Sequence, residues 1–286
     1  MGQHPRCTAG TVLVTYEGYS VIRVSVDEGV ARVVIDNPPV NLFDLALYAD
    51  MVRVSYEMAT DPNVRVVVLS SAVPGFFIAH FDVSLILQMP HDMPVPRELH
   101  DFDRMCENFR TMPKATIAVI EGRCGGGGNE LALACDVRIA LRGGAVFNQP
   151  EVALGIVPGA GGTVRLPRLI GRNRAMEVIL GSDDVDADTA ADWGMVNRSL
   201  GADELWPFVD RLAGRIAKFP PEAVASAKAA VLRSDGDLKP DLLTESGEFN
   251  RLLGTPRAQE AMRNFMERGG QTVAGESRLG ELAAEI

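Results

Sequence analysis

The chain has 286 residues, 47% hydrophobic and 23% charged, and a formal net charge of −10. That length buries enough apolar surface to fold without metal or disulfide staples. The acidic balance disfavours a nucleic-acid surface or an anionic membrane as main partner, and any anionic ligand must find local donors of its own. Four cysteines (Cys7, Cys106, Cys124, Cys135) form no CxxC pair, which fits reduced thiols in a cytoplasmic protein. No stretch approaches the roughly 20 apolar residues of a membrane span. Met1–Gly18 lacks a basic start followed by an apolar run, so residues 1–18 read as a disordered leader and not a secretory signal.

Val21–Val26 and Val30–Ile35 alternate on either side of Asp27-Glu28-Gly29, which predicts a β-hairpin. Leu45–Thr60 carries apolar residues at helical spacing and stops at Asp61-Pro62. Val64–Leu69 and Ala115–Ile120 are unbroken apolar runs, expected as strands covered on both faces. Between them a turn at Ser70–Gly75 leads into Phe76–Leu87. Met89–Arg97, with three prolines, reads as a surface loop, and Leu99–Arg110 as a helix. Gly122–Gly128 predicts a glycine-rich turn, followed by a helix to about Ala134 and a short strand at Val137–Ala140. From Gly162 onward helical periods dominate: Thr163–Ile170, Arg174–Leu180, Ala187–Trp193, Leu205–Ala217, Pro221–Leu232, Asp241–Leu253 and Ala258–Arg268. Lys218–Pro221 is the expected boundary between a core and a helical C-terminal region (218–286). No internal repeat survives counting. Strands alternating with helices and then a helical tail imply an α/β or α+β core, and the pattern alone does not choose between a doubly wound sheet and something less usual.

Several common sites are missing. GxGxxG fails at Leu131 or Val164, no GxxxxGK[ST] or GxSxG occurs, and the four histidines (His4, His80, His91, His100) form no HExxH or compact ligand set. No metal site is therefore expected, and His91 and His100 are expected to be solvated loop residues.

Three segments carry chemistry. The first is Phe76–Val83. The second, Gly122–Asp136, reads as strand, four glycines, then helix. Such glycines let the backbone approach a ligand, and the free N–H groups of the helix's first turn suit a developing oxyanion. Glu130 is expected in that first turn, facing the group those amides bind. Taken alone, the string is equally explained by a tightly packed helix whose dipole Glu130 complements. The third segment, Asn148–Thr163, carries Glu151 and a second glycine-rich helix start. A lone Glu151 would read as a solvated loop carboxylate.

Together these segments resemble the crotonase (enoyl-CoA hydratase/isomerase) family. Gly126–Asp136 is similar to its Gly-Gly-Gly-x-Glu-Leu-Ala-x-x-Cys-Asp string, and Gln149–Thr163 to Gln-Pro-Glu-x-x-x-Gly-x-x-Pro-Gly-x-Gly-Gly-Thr. The resemblance runs from about Val21 to Phe265. It implies a spiral of ββα units over 19–217 and a helical C-terminal oligomerisation region that builds a homotrimer or homohexamer. By position, the amides of Phe81 and Gly127 would form an oxyanion hole for a thioester carbonyl, with Glu130 and Glu151 as the catalytic carboxylates. Ala79, His80, Asp82, Gly126, Pro158 and Gly159 would contact the acyl-CoA substrate. Coenzyme A belongs to that substrate, so no separate cofactor is implied. Both glutamates are present, which favours hydration of a 2-enoyl-CoA to a 3-hydroxyacyl-CoA, as in fatty acid metabolism. A 3,2-enoyl-CoA isomerase and a non-catalytic oligomeric binding subunit are the alternatives.

The chain departs from the family at His80 and Phe81, where many members carry Gly and Ala, at Ser84, often Lys, and at Arg123, often uncharged. One extra residue lies between Glu130 and Glu151, placed in the Arg142–Gly144 turn. The apolar positions Leu242, Leu243, Phe249, Leu252, Leu253, Met262 and Phe265 suit either a subunit interface or an internal core.

Overall fold

The computed structural model describes residues 14–286. Its first elements are β1 (Val14–Tyr16), β2 (Ile22–Asp27) and β3 (Val30–Ile35), then α1 (Leu45–Thr60), β4 (Val66–Ser71), β5 (Phe76–Ile78), α2 (Val83–Ile86) and α3 (Asp101–Thr111). Next come β6 (Ala115–Ile120), β7 (Arg123–Gly125), α4 (Gly126–Ala134), β8 (Val137–Leu141), β9 (Val146–Asn148), α5 (Gly162–Ile170) and α6 (Arg172–Gly181). The chain continues through β10 (Val185–Asp186), α7 (Ala187–Trp193), β11 (Arg198–Leu200) and α8 (Ala202–Ala217). It ends with α9 (Pro221–Leu232), α10 (Lys239–Leu253), α11 (Pro256–Glu267), α12 (Val273–Glu276) and α13 (Leu279–Ala283).

The predicted hairpin is β2–β3, antiparallel, with Glu28 and Gly29 both at positive φ (46° and 82°) in its turn. Two turn residues of that kind match the right-handed strand twist. Asp44 caps α1 by accepting the Leu47 N–H at 2.9 Å.

Strands are dealt alternately to two sheets. The larger has the order β1-β2-β3-β4-β6-β8-β11 and the smaller β10-β9-β7-β5. From β3 to β11 the larger sheet is parallel. Thus β4 and β5, β6 and β7, β8 and β9 each send one strand to each sheet before a helix returns the chain. Each such unit advances the spiral by one strand spacing, about 4.8 Å. This is the crotonase-like spiral.

The larger sheet is covered on both faces, as its apolar runs predicted. Val67, Leu69, Ala118 and Ile120 join the main core with α1 and α3, while Val66, Val68, Ile117 and Val119 pack on Leu205, Val209 and Ala213 of α8. Each buried Val, Leu or Ile of that outer layer contributes roughly 1.5–3 kcal/mol.

Several local expectations change. Within the expected leader, residues 14–16 form β1, paired with β2, the Glu17 and Gly18 carbonyls accept from Arg53, and residues 1–13 lie outside the described residues. Gly122–Gly128 is not one turn: Arg123–Gly125 is strand and α4 already starts at Gly126. Glu130 therefore stands one turn inside the helix and not in its first turn. The short elements β9, β10, β11, α12 and α13 gave no periodic signal. Leu242, Leu253, Met262 and Phe265 are buried within the chain itself.

Candidate active site

The site forms where α4 and α5 begin. Gly126, at φ +44°, opens α4; a Cβ there would lie 2.7 Å from Glu151 Oε1 and 3.1 Å from His80 Cβ. A Cβ on Gly128 would come within 2.6 Å of the Ile78 carbonyl oxygen. These contacts are the physical reason for the glycine run: α4 is pressed onto β5, with Glu151 and His80 flanking its first residue.

Phe81 follows β5 and bridges to Phe43 in parallel fashion. The bonds run through its neighbours, Phe43 N–H to His80 O at 2.9 Å and Asp82 N–H to Phe43 O at 3.2 Å. The amide of Phe81 itself therefore points away from Phe43. A Cβ on Gly127 would stand 3.7 Å from Phe81 Cβ, so the two residues are side by side. The N–H of Gly127 is one of the first-turn donors that have no partner inside their helix. The Phe81 ring joins an aromatic wall, edge-on to Phe102 (5.9 Å) and Tyr48 (6.2 Å).

Glu130 is 3% exposed and Glu151 8%. Glu130 Oε1 accepts the N–H groups of Ala160 and Gly162, both at 2.8 Å, at the start of α5. Burial raises the Glu130 carboxyl above the usual range, against the pull of those two amides and of Arg165. Glu151 is pushed up to about 8, first by burial and then by the charge of Glu130. Its Oε2 accepts from Gln149 Nε2 at 3.0 Å, and Gln149 Oε1 accepts from Asn129 Nδ2 at 2.7 Å. A hydrogen-bonded chain thus runs from the residue beside Glu130 to the second acid.

The remaining expected contact residues divide. Gly126 lies against Glu151, Pro158 lies against Gly162, whose N–H holds Glu130, and Gly159 is held by His100, whose Nε2–H donates to the Gly159 carbonyl at 3.1 Å. His100 is exposed outside the helix, as expected, and also caps α3 by accepting the Asp103 N–H at Nδ1. Asp82 caps α2: its Oδ1 accepts from the Ser84 N–H and hydroxyl and from Gln271 Nε2. Ala79 is fully buried, with its N–H donated to Val40 O. His80 is buried at 4% exposure between Phe81 and Glu276. Arg123, unusual by resemblance, makes a paired contact with Asp184 at 2.6 and 2.8 Å.

Sequence reasoning missed Glu245 and Glu276, both from the C-terminal helices. Glu245 accepts the N–H groups of Gly161 (2.5 Å) and Thr163 (2.7 Å). Nothing in their local sequence distinguishes them from solvated helix carboxylates.

Residues 25–274 match the model of the enoyl-CoA hydratase/isomerase family. The chain belongs to that family. It is 34% identical to the short-chain-enoyl-CoA hydratase of Clostridium acetobutylicum, over 84% of this chain and 93% of that one. It is 35% identical to the crotonyl-CoA hydratase of Syntrophomonas wolfei, over 73% and 80%. The crystal structure of a candidate enoyl-CoA hydratase from Streptomyces avermitilis superposes with a TM-score of 0.86 at 39% identity, covering 94% of this chain and 98% of that one. The match spans the glycine-started helix and both buried acids beside it. Among the described residues no helix is long and apolar enough to cross a membrane, and no group of three His, Cys, Asp or Glu is placed to hold a metal ion.

Proposed function

We propose that the chain hydrates 2-enoyl-CoA to 3-hydroxyacyl-CoA. One observation carries this reading: two buried carboxyls, one gripped by backbone amides and one raised to about 8, converge beside the amides of Phe81 and Gly127. The thioester oxygen accepts those two N–H groups, which stabilise the charge that grows on it as the double bond is attacked. Glu130, whose Oε1 is taken by Ala160 and Gly162, holds the water through its other oxygen and takes its proton. The hydroxyl oxygen bonds to the β-carbon, and Glu151, protonated near neutrality, gives its proton to the α-carbon. The two acids end with exchanged protons, and transfer through solvent resets them.

No resident cofactor or metal takes part in this scheme. The compartment is the cytoplasm, and the reaction belongs to acyl-CoA turnover of the fatty-acid type. The assembly is a homotrimer or a dimer of trimers. Supporting an assembly, α9 has no buried residue within the chain although it carries Val224 and Val231, the latter 71% exposed.

The test is loss of the conjugated-thioester absorbance of crotonyl-CoA on adding protein. Glu130→Gln and Glu151→Gln should each lower kcat by about 10²–10⁴-fold. An isomerase would lose activity only with Glu151→Gln and would accept a 3-enoyl-CoA. A binding subunit would turn over no acyl-CoA at all.

A further inference from the structure

His80 and Glu276 are both buried, 196 residues apart in sequence, and meet at 3.0 Å through His80 Nε2 and Glu276 Oε1. The other ring nitrogen, Nδ1, stands 2.7 Å from the carbonyl oxygen of Phe81. A carbonyl only accepts, and so does an ionised carboxylate, so both nitrogens must donate. The ring is then an imidazolium with one counter-ion. Burial works against that charge, and the Glu276 carboxylate more than offsets it, holding His80 above the usual imidazole range. Glu276 is held below the usual carboxylate range, because the His80 charge and bond outweigh its own burial. The groups facing the ring are Glu276 from α12, Glu151 across Gly126, and the Phe265 ring of α11 at 5.5 Å, with Arg123 acting on Glu276 from behind.

The bond from Nδ1 to the Phe81 carbonyl closes a small ring around the His80–Phe81 peptide. That peptide carries the Phe81 N–H. The same C-terminal segment grips the next residues as well: Gln271 Nε2 donates to Asp82 Oδ1 at 2.8 Å, Val83 N–H donates to Gln271 Oε1 at 2.9 Å, and Gln271 N–H donates to Glu276 Oε1 at 2.7 Å. The loop is thus tied from both sides of Phe81.

We propose that His80, kept as an imidazolium by Glu276, is a positioning residue that fixes the plane of the His80–Phe81 peptide and so aims the Phe81 N–H at the substrate's thioester oxygen. The inference rests on the reading of Phe81 and Gly127 as an oxyanion hole. It assigns the C-terminal segment a direct part in the site: the segment sets the geometry of a donor in a loop almost two hundred residues earlier.

The test compares full-length wild type with His80→Leu, which fills the space without a donor, and His80→Asn, whose amide nitrogen stands one bond from Cγ, where Nδ1 stands. Two readouts are taken: steady-state hydration of crotonyl-CoA, and the near-ultraviolet absorbance of the enolate of bound acetoacetyl-CoA, which reports charge in the hole without turnover. Expected for His80→Leu is a fall in kcat of about 10–100-fold with KM within about threefold, and loss of the enolate band. His80→Asn recovers kcat to within about fivefold of wild type. Nitrogen-15 spectra of labelled histidine should show both His80 nitrogens protonated at neutral pH. The inference is overturned by a His80→Leu protein with wild-type kcat and enolate band, by an Asn variant no better than Leu, or by a neutral His80. If His80→Leu does not fold, a loss beyond about 100-fold in His80→Asn overturns it as well. A wild type that neither hydrates crotonyl-CoA nor enolises acetoacetyl-CoA fails the hydratase reading first, and is told apart because its histidine spectrum still reports the ion pair.

Discussion

Glu130 and Glu245 take alternate amides of one short stretch: Ala160 and Gly162 donate to the first, Gly161 and Thr163 to the second. The start of α5 is thus held between two carboxylates from helices far apart in sequence, with its positive dipole end shared by both. Replacing Glu245 with Gln removes half of that grip. Crotonyl-CoA turnover should fall about tenfold, and chemical denaturation should show a loss of about 1–3 kcal/mol.

The same residue makes stability depend on pH in a defined direction. Glu245 is pushed up to about 8, by burial and then by Glu130. A carboxyl whose folded pKa exceeds its unfolded value, about 4.3, keeps its proton longer in the folded state. Its contribution is complete below the unfolded value and is lost as pH rises through the folded one. Wild type should lose stability between about pH 4.5 and 8, by up to about 1.4 kcal/mol per pH unit for each such group. Urea midpoints across that range should flatten in Glu245→Gln, and a steeper fall in the variant would contradict the argument.

Glu151 supplies a kinetic counterpart. With its carboxyl raised to about 8, the acid form persists through neutrality, so kcat should decline above that pH. Gln149→Leu removes the donor that holds Glu151 Oε2. It should cost about tenfold in kcat, with little change in KM.

At Gly126, alanine meets both an unfavourable φ of +44° and the Glu151 carboxylate 2.7 Å from the new Cβ. Gly126→Ala should lower stability by about 1–3 kcal/mol and reduce turnover at least as much as Gln149→Leu does. A variant with wild-type melting temperature and rate would show that the helix start is more pliant than its contacts imply.

Arg123 and Asp184 form an unequal pair, the Arg side chain 6% exposed and the Asp 29%. Removing the acid strands a buried guanidinium, whereas removing the base leaves a carboxylate that water can reach. Asp184→Asn should therefore cost about 3–5 kcal/mol and Arg123→Met distinctly less, as read by thermal melts of the two.

Local periodicity was enough for the elements that pack as regular surfaces. Leu45–Thr60 and Pro221–Leu232 agree to the residue, and Val66–Ser71 is covered on both faces as its apolar run implied. The strands of the smaller sheet were illegible because two or three residues show no period. The ββα repeat was invisible for another reason: each unit packs against different neighbours, so equivalent backbone carries unrelated side chains. Glu130 and Glu151 were found through the family resemblance of their segments, since their local settings alone fit bland roles equally well or better. Glu245, Glu276 and Asn129 were not, because a buried carboxylate or amide is defined by what folds over it.

The alternation of strands between two sheets also explains where the spiral tolerates changes in length. Arg142–Gly144 joins β8 in one sheet to β9 in the other, and each strand is registered by its own neighbours. An insertion at that corner bulges outward without sliding either strand. The interval from Glu130 to Glu151 along the chain can therefore grow while the gap between their carboxyls in space stays fixed, which leaves such corners open to drift and to the acquisition of new surface.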